Sequence, residues 1–121
     1  MKVLVCGGRD YRDHLTAYRL LDALNVLEDI TCIVHGGASG ADELAGKWAS
    51  RNKIECRVYP ADWQTYGKSA GPRRNQSMLD REKPDVVCAF PGGRGTADMV
   101  GRAKTAGVKV FDVAAMLGEQ P

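Results

Sequence analysis

Residues 85–96 read DVVCAFPGGRGT, and the fold is decided there. Val86 to Phe90 form an apolar run too short for an ordinary helix, which reads as a strand buried on both faces over 85–90. The run breaks at Pro91 and at Gly92, Gly93 and Gly95, residues that admit turns and close backbone approach. A helical pattern follows over 96–106, with Met99, Val100 and Ala103 on one face and Gly107 as its stop. A strand, a glycine turn and a helix in that order place unpaired N–H groups and a positive dipole end where an anion can bind.

The same unit recurs to either side. KVLVC (2–6) runs into Gly7-Gly8, and TCIVH (31–35) runs into Gly36-Gly37. Between them lies a helix over 14–28, with Leu15, Leu20, Leu21, Leu24 and Leu27 at helical spacing. A second helix, over 40–52, carries Ala41, Leu44, Ala45, Trp48 and Ala49 on one face. ECRVY (55–59) is a strand whose charges place it at a sheet edge. Residues 60–71, PADWQTYGKSAG, read as one long irregular loop, a kind of segment that often carries function. Gly71-Pro72 opens the next helix with Pro72 at its first position, and Lys83-Pro84 closes it. VKVFD (108–112) is the fifth strand, with a final helical turn over 113–118. Strands alternating with helices imply an α/β fold: a five-stranded parallel sheet with helices on both faces. Ligands bind such sheets outside the carboxyl ends of the strands, where the strand order reverses. Numbering strands along the chain, the order 3-2-1-4-5 lets all three glycine pairs border one crevice, whereas 2-1-3-4-5 separates them. The glycine pattern favours the first.

Composition narrows the function classes. The 121 residues suit one domain, spanning 1–121. A formal net charge of +2 is too mild to argue for nucleic acid, and positive and negative side chains mix around the glycine turns, which suits a small polar ligand. Cys6, Cys32, Cys56 and Cys88 show no metal or redox spacing and read as buried thiols in a reducing compartment. No signal peptide and no membrane span is read, so the expected location is the cytoplasm, with no membrane partner. Neither a Walker A lysine nor a Gly-x-Gly-x-x-Gly turn is present, and no cofactor or metal is called for.

At Pro91-Gly92-Gly93-Arg94-Gly95-Thr96 the sequence resembles the PGGxGT signature of the SLOG superfamily, which includes the LOG phosphoribohydrolases and the DprA proteins. Gly7-Gly8-Arg9-Asp10-Tyr11, then Gly36-Gly37-Ala38-Ser39-Gly40-Ala41-Asp42, then Gly71-Pro72-Arg73-Arg74-Asn75 with Met78, resemble its small YspA-like branch. The similarity runs over about residues 2–112. It implies a Rossmann-like fold of the 3-2-1-4-5 kind, a site for a nucleotide-derived ligand, and pairing into homodimers. LOG enzymes cleave the N-glycosidic bond of nucleoside 5′-monophosphates, using a glutamate in PGGxGTxxE and an upstream arginine. Met99 stands at the glutamate position here, while Arg73 or Arg74 matches the arginine.

The candidate ligand-binding residues are therefore Gly7, Gly8 and Arg9; Gly36, Gly37, Ser39, Gly40 and Asp42; Arg73, Arg74 and Asn75; and Gly92, Gly93, Arg94, Gly95 and Thr96. Arg74, Asp98 and Asp42 are the catalytic candidates if a reaction occurs. Competing roles stand beside each. Asp42 serves as an acid/base, as a ribose ligand, or as the far end of a Ser39-x-x-Asp42 capping box. Asp98 serves the reaction or simply the positive end of its helix. Trp63 and Tyr66 stack on a base or close a dimer interface. His35 and Trp48 read as core. The leading function is a nucleotide-binding sensor or adaptor; an N-glycosidic hydrolase is the alternative, and DprA-like DNA binding comes third.

Overall fold

A computed structural model describes residues 1–118. Strands β1 (Lys2–Cys6), β2 (Cys32–His35), β3 (Glu55–Val58), β4 (Val86–Ala89) and β5 (Lys109–Asp112) form one parallel sheet. Its order is β3-β2-β1-β4-β5, so the reversal lies between β1 and β4 as the glycine pattern indicates. The helices are α1 (His14–Leu27), α2 (Ala41–Arg51), α3 (Trp63–Tyr66), α4 (Ala70–Glu82), α5 (Arg94–Thr105) and α6 (Val113–Gly118). None among the described residues is long and apolar enough to cross a membrane.

The central strands are apolar on both faces because helices cover both. Val3, Val5, Ile33, Val86 and Cys88 pack on one face with Ala17, Leu21 and Leu24 of α1 and Ala41, Ala45, Trp48 and Ala49 of α2. Leu4, Cys6, Val34, Val87 and Ala89 pack on the other with Met78 and Leu79 of α4 and Met99 and Ala103 of α5. Each fully buried Val, Leu or Met side chain stabilises the fold by about 1.5–3 kcal/mol. Trp48 is core as expected, and its indole N–H donates to Asp22 at 2.8 Å. His35 is buried too, and burial, with Arg74 nearby, pushes its imidazole below the usual range.

β3 lies at the edge, and all of its residues are exposed. Glu82, at the end of α4, ties that edge down. Its carboxylate accepts from Lys2 Nζ at 2.9 Å, from Arg57 Nη1 at 2.9 Å and from the Tyr59 hydroxyl. Burial alone would raise the Glu82 pKa, but those donors outweigh it and lower it to about 2.

Several expectations are corrected. Residues 60–71 are not one irregular loop: α3 is followed by a 3-10 turn, Gly67–Ser69, and α4 begins at Ala70. Asp62 starts α3 by accepting the Thr65 N–H at 3.1 Å. Pro72 is consequently the third residue of α4, still within the first turn where a missing N–H costs little. The helix expected at 96 begins at Arg94. Leu15 and Leu27 are exposed at the ends of α1, because only its middle lies over the sheet. Cys56 is exposed rather than buried, as is every residue of the edge strand β3.

Candidate functional site

The glycine pairs meet backbone to backbone. The Gly8 N–H donates to the Pro91 carbonyl at 2.9 Å, and the Gly8 carbonyl accepts the Ala41 N–H at 3.2 Å. One residue of the β1 loop thus fastens the loops after β2 and β4. Gly40 makes this approach with φ +76°, and a Cβ on it would lie 2.6 Å from the Arg9 backbone. A Cβ on Gly92 would likewise lie 2.6 Å from the Gly8 nitrogen. Gly40 and Gly92 are packing residues, and neither lines the cavity that the loops enclose.

That cavity holds about 570 Å³ at the carboxyl ends of β1, β2 and β4. Its floor is Cys6, Gly7 and Gly8. Gly36 and Asp42 form one wall, and Gly93, Arg94, Gly95 and Thr96 the opposite one. Arg74, Asn75, Met78 and Asp98 line it from α4 and α5, while Arg9, Trp63 and Lys68 stand at the mouth side. A hollow of about 250 Å³ adjoins it, sharing Arg9, Gly36, Trp63 and Arg74 and adding Gly37 and Ser39. Arg73 lines neither; it donates to Ser69 Oγ at 3.1 Å and stacks on Tyr66.

α5 begins with Gly93 as its N-cap, and no side chain caps it. Its first-turn N–H groups have no intrahelical partner and lie at the cavity wall. Gly93 and Gly95 have open space on their Cβ side. α2 differs: its first turn carries Asp42 and Glu43, and Gly8 already takes the Ala41 N–H. Among the described residues, Arg9, Lys68 and Arg94 join no ion pair.

Arg74 is committed to the protein. Its Nη1 donates to the carbonyls of Gly36 at 2.7 Å and Tyr59 at 3.2 Å, and its Nε donates to Asn75 Oδ1 at 3.0 Å. The Asn75 amide donates to Asp98 at 3.0 Å and to the Gly95 carbonyl at 3.3 Å, so one buried asparagine joins α4 to the start of α5. Asp98 also accepts from Arg102 at 2.8 Å. Burial works against its ionised form, but the bonds from Arg102 and Asn75 hold its pKa below the usual range. Position 99, where the LOG pattern has glutamate, faces the core, and Met99 is fully buried.

Asp42 does not close a capping box. Its Oδ2 accepts the N–H groups of Gly36 at 3.1 Å and Ala38 at 3.2 Å, while Ser39 Oγ donates to the Arg9 carbonyl. Burial raises the Asp42 pKa, against the loop amides and Arg74. Trp63 lies against Gly71, with the Arg9 guanidinium 5.6 Å from its ring centroid. Lys68 and Met78 also line the cavity but were absent from the sequence candidates. Lys68 lay within the supposed irregular loop, and Met78 was quoted only as part of a motif. Among the described residues, no cluster of three His, Cys, Asp or Glu side chains is arranged to hold a metal.

Comparison with known proteins accords with this architecture. The solved structure of DNA processing protein A (DprA) from Streptococcus pneumoniae superposes with a TM-score of 0.52 over 99% of this chain and 62% of that one. At 18% identity it shows the fold alone. The Gene 61 protein of Mycobacterium phage D29 is 37% identical over 128 residues, covering 99% of this chain and 98% of that protein. A family model described as the YspA, cpYpsA-related SLOG family matches residues 1–66, the segment holding the first two glycine loops and Trp63. With more than half of its length matched by that model, the chain belongs to the YspA, cpYpsA-related SLOG family.

Proposed function

We propose that this protein binds a nucleotide or nucleotide-derived phosphate ligand, acting as a cytoplasmic sensor or adaptor. The observation that carries the reading is the uncapped start of α5, opening into a cavity bordered by Arg9, Lys68 and Arg94, which join no ion pair among the described residues. Phosphate oxygens would accept from the first-turn N–H groups and be neutralised by those side chains. Trp63, half exposed at the mouth, offers a face for a base. A volume of about 570 Å³ falls within the usual range of small-molecule pockets. Membership of a SLOG family points to nucleotide-related function. Isothermal titration with nucleoside mono- and diphosphates, ADP-ribose and cyclic nucleotides tests it: saturable binding is expected from at least one, and silence from all removes the reading.

One observation favours N-glycosidic hydrolysis as a second reading. Asp42 is buried at the cavity near Arg74, and burial raises its pKa against the loop amides and Arg74. Release of free base from a nucleotide panel would establish it, and full activity in an Asp42→Asn/Asp98→Asn protein would dismiss these residues. DNA binding is disfavoured by the small net charge, and the likeness to DprA supports the fold alone.

A further inference from the structure

Asp42 is 6% exposed, yet it borders the cavity. Both of its hydrogen bonds from the chain end on Oδ2. Among the described residues no donor reaches Oδ1 and no cation pairs with the carboxylate within 4.0 Å; Arg74 turns its Nη1 and Nε donors to Gly36, Tyr59 and Asn75. The cavity's other carboxylate, Asp98, is paired with Arg102. No fully buried side-chain oxygen or nitrogen among the described residues lacks a partner, so Oδ1 keeps access from the cavity, where a donor can reach it.

A partner for the ionised carboxylate must donate, which a fully ionised phosphate cannot do. A nucleotide carries donors on its sugar and on its base. With Oδ2 already occupied by two loop amides, Asp42 lacks the two free oxygens that would match the paired N–H donors of a guanine edge. The base, moreover, has an aromatic face at Trp63. Asp42 opens α2, after β2, and the anion seat opens α5, after β4; β1 lies between. Two strand spacings set them on the order of 10 Å apart, so Asp42 meets the part of the ligand that follows the phosphate.

Resting on the nucleotide-binding reading above, we infer that Asp42 Oδ1 accepts a hydrogen bond from the ribose 2′/3′-hydroxyl edge, so that the site selects sugars carrying both hydroxyls.

The test is calorimetric titration with adenosine and guanosine 5′-monophosphates beside their 2′-deoxy and 3′-deoxy forms, on the native protein and on Asp42→Asn. Removing at least one hydroxyl is expected to weaken binding to the native protein by about tenfold or more. Asp42→Asn keeps its amide oxygen on the loop N–H groups but puts a neutral NH2 where the charged acceptor stood, so it is expected to shrink that difference. Equal affinity for all sugar forms on the native protein overturns the inference without touching the binding reading, and this comparison needs no variant. Discrimination undiminished in Asp42→Asn overturns it as well, as does a penalty that appears only when adenosine gives way to guanosine. Absence of binding by every nucleotide removes the binding reading and this inference together.

Discussion

Arg74 Nη1 lies 2.7 Å from the carbonyl oxygen of Gly36, and a Cβ on residue 36 would stand 2.6 Å from the guanidinium carbon. Gly36 does not have a positive φ, so the glycine serves the arginine rather than the turn. Gly36→Ala is expected to displace the end of a flexible side chain. Stability should change by no more than about 1 kcal/mol, while nucleotide affinity falls by about tenfold or more. A thermal melt and a titration on one sample check this; unchanged affinity would mean that Arg74's position does not shape the site.

Gly40 and Gly95 should behave oppositely. At Gly40 an alanine meets both φ +76° and the backbone of Gly8 and Arg9, which cannot yield. Gly40→Ala is expected to cost roughly 2–4 kcal/mol in urea unfolding. Gly95 lies in the first turn of α5 with free space around it. Gly95→Ala should preserve or raise stability, by up to about 1 kcal/mol, yet weaken a phosphate ligand by placing a methyl group in the cavity.

Trp63 packs on Gly71 and is 48% exposed, whereas Trp48 is buried. Trp63→Ala should therefore leave the melting temperature nearly unchanged and reduce nucleotide affinity by about 1–3 kcal/mol. The emission of Trp63 is expected to shift or quench on ligand addition, with Phe in its place retaining most of the affinity.

Glu82 sets an acid limit. Its pKa is depressed in the folded protein, so its contribution is full above the unfolded value near 4.5 and is lost as pH falls from there through about 2. Allowing for solvent screening by the half-exposed Arg57, the loss is on the order of 1–2 kcal/mol. Unfolding curves at pH 7, 4 and 3 should show it, and Glu82→Gln should remove that share of the pH dependence while lowering stability at pH 7.

The sheet was legible because strands covered on both faces favour apolar and small residues, as Val3–Cys6, Cys32–Val34 and Val86–Ala89 show. The charges at 55 and 57 marked the edge for a related reason. The glycine pairs disclosed the strand order, though partly through contact rather than ligand chemistry: Gly8, Gly40 and Gly92 are where three loops touch. Residues 63–69 were illegible because a short helix with no buried residue has no apolar period; only the Asp62–Thr65 spacing signalled it. Asp42 was half legible. Its distance from Ser39 suits a capping box, but the chain turns so that Gly36 and Ala38 present their amides first. Asp98 and Met99 are neighbours on a helix and so point about 100° apart, and the structure gives the first to the cavity and the second to the core.

Because Gly8 bonds to the loops behind both neighbouring strands, the three glycine segments are held as one part. A length change in any one of them would misalign the other two, so variation among relatives should concentrate elsewhere, as in α1. For the same reason the seat is not modular. Transplanting it into another five-stranded sheet requires moving all three turns together with Arg74, and grafting PGGRGT alone would carry the signature without the site.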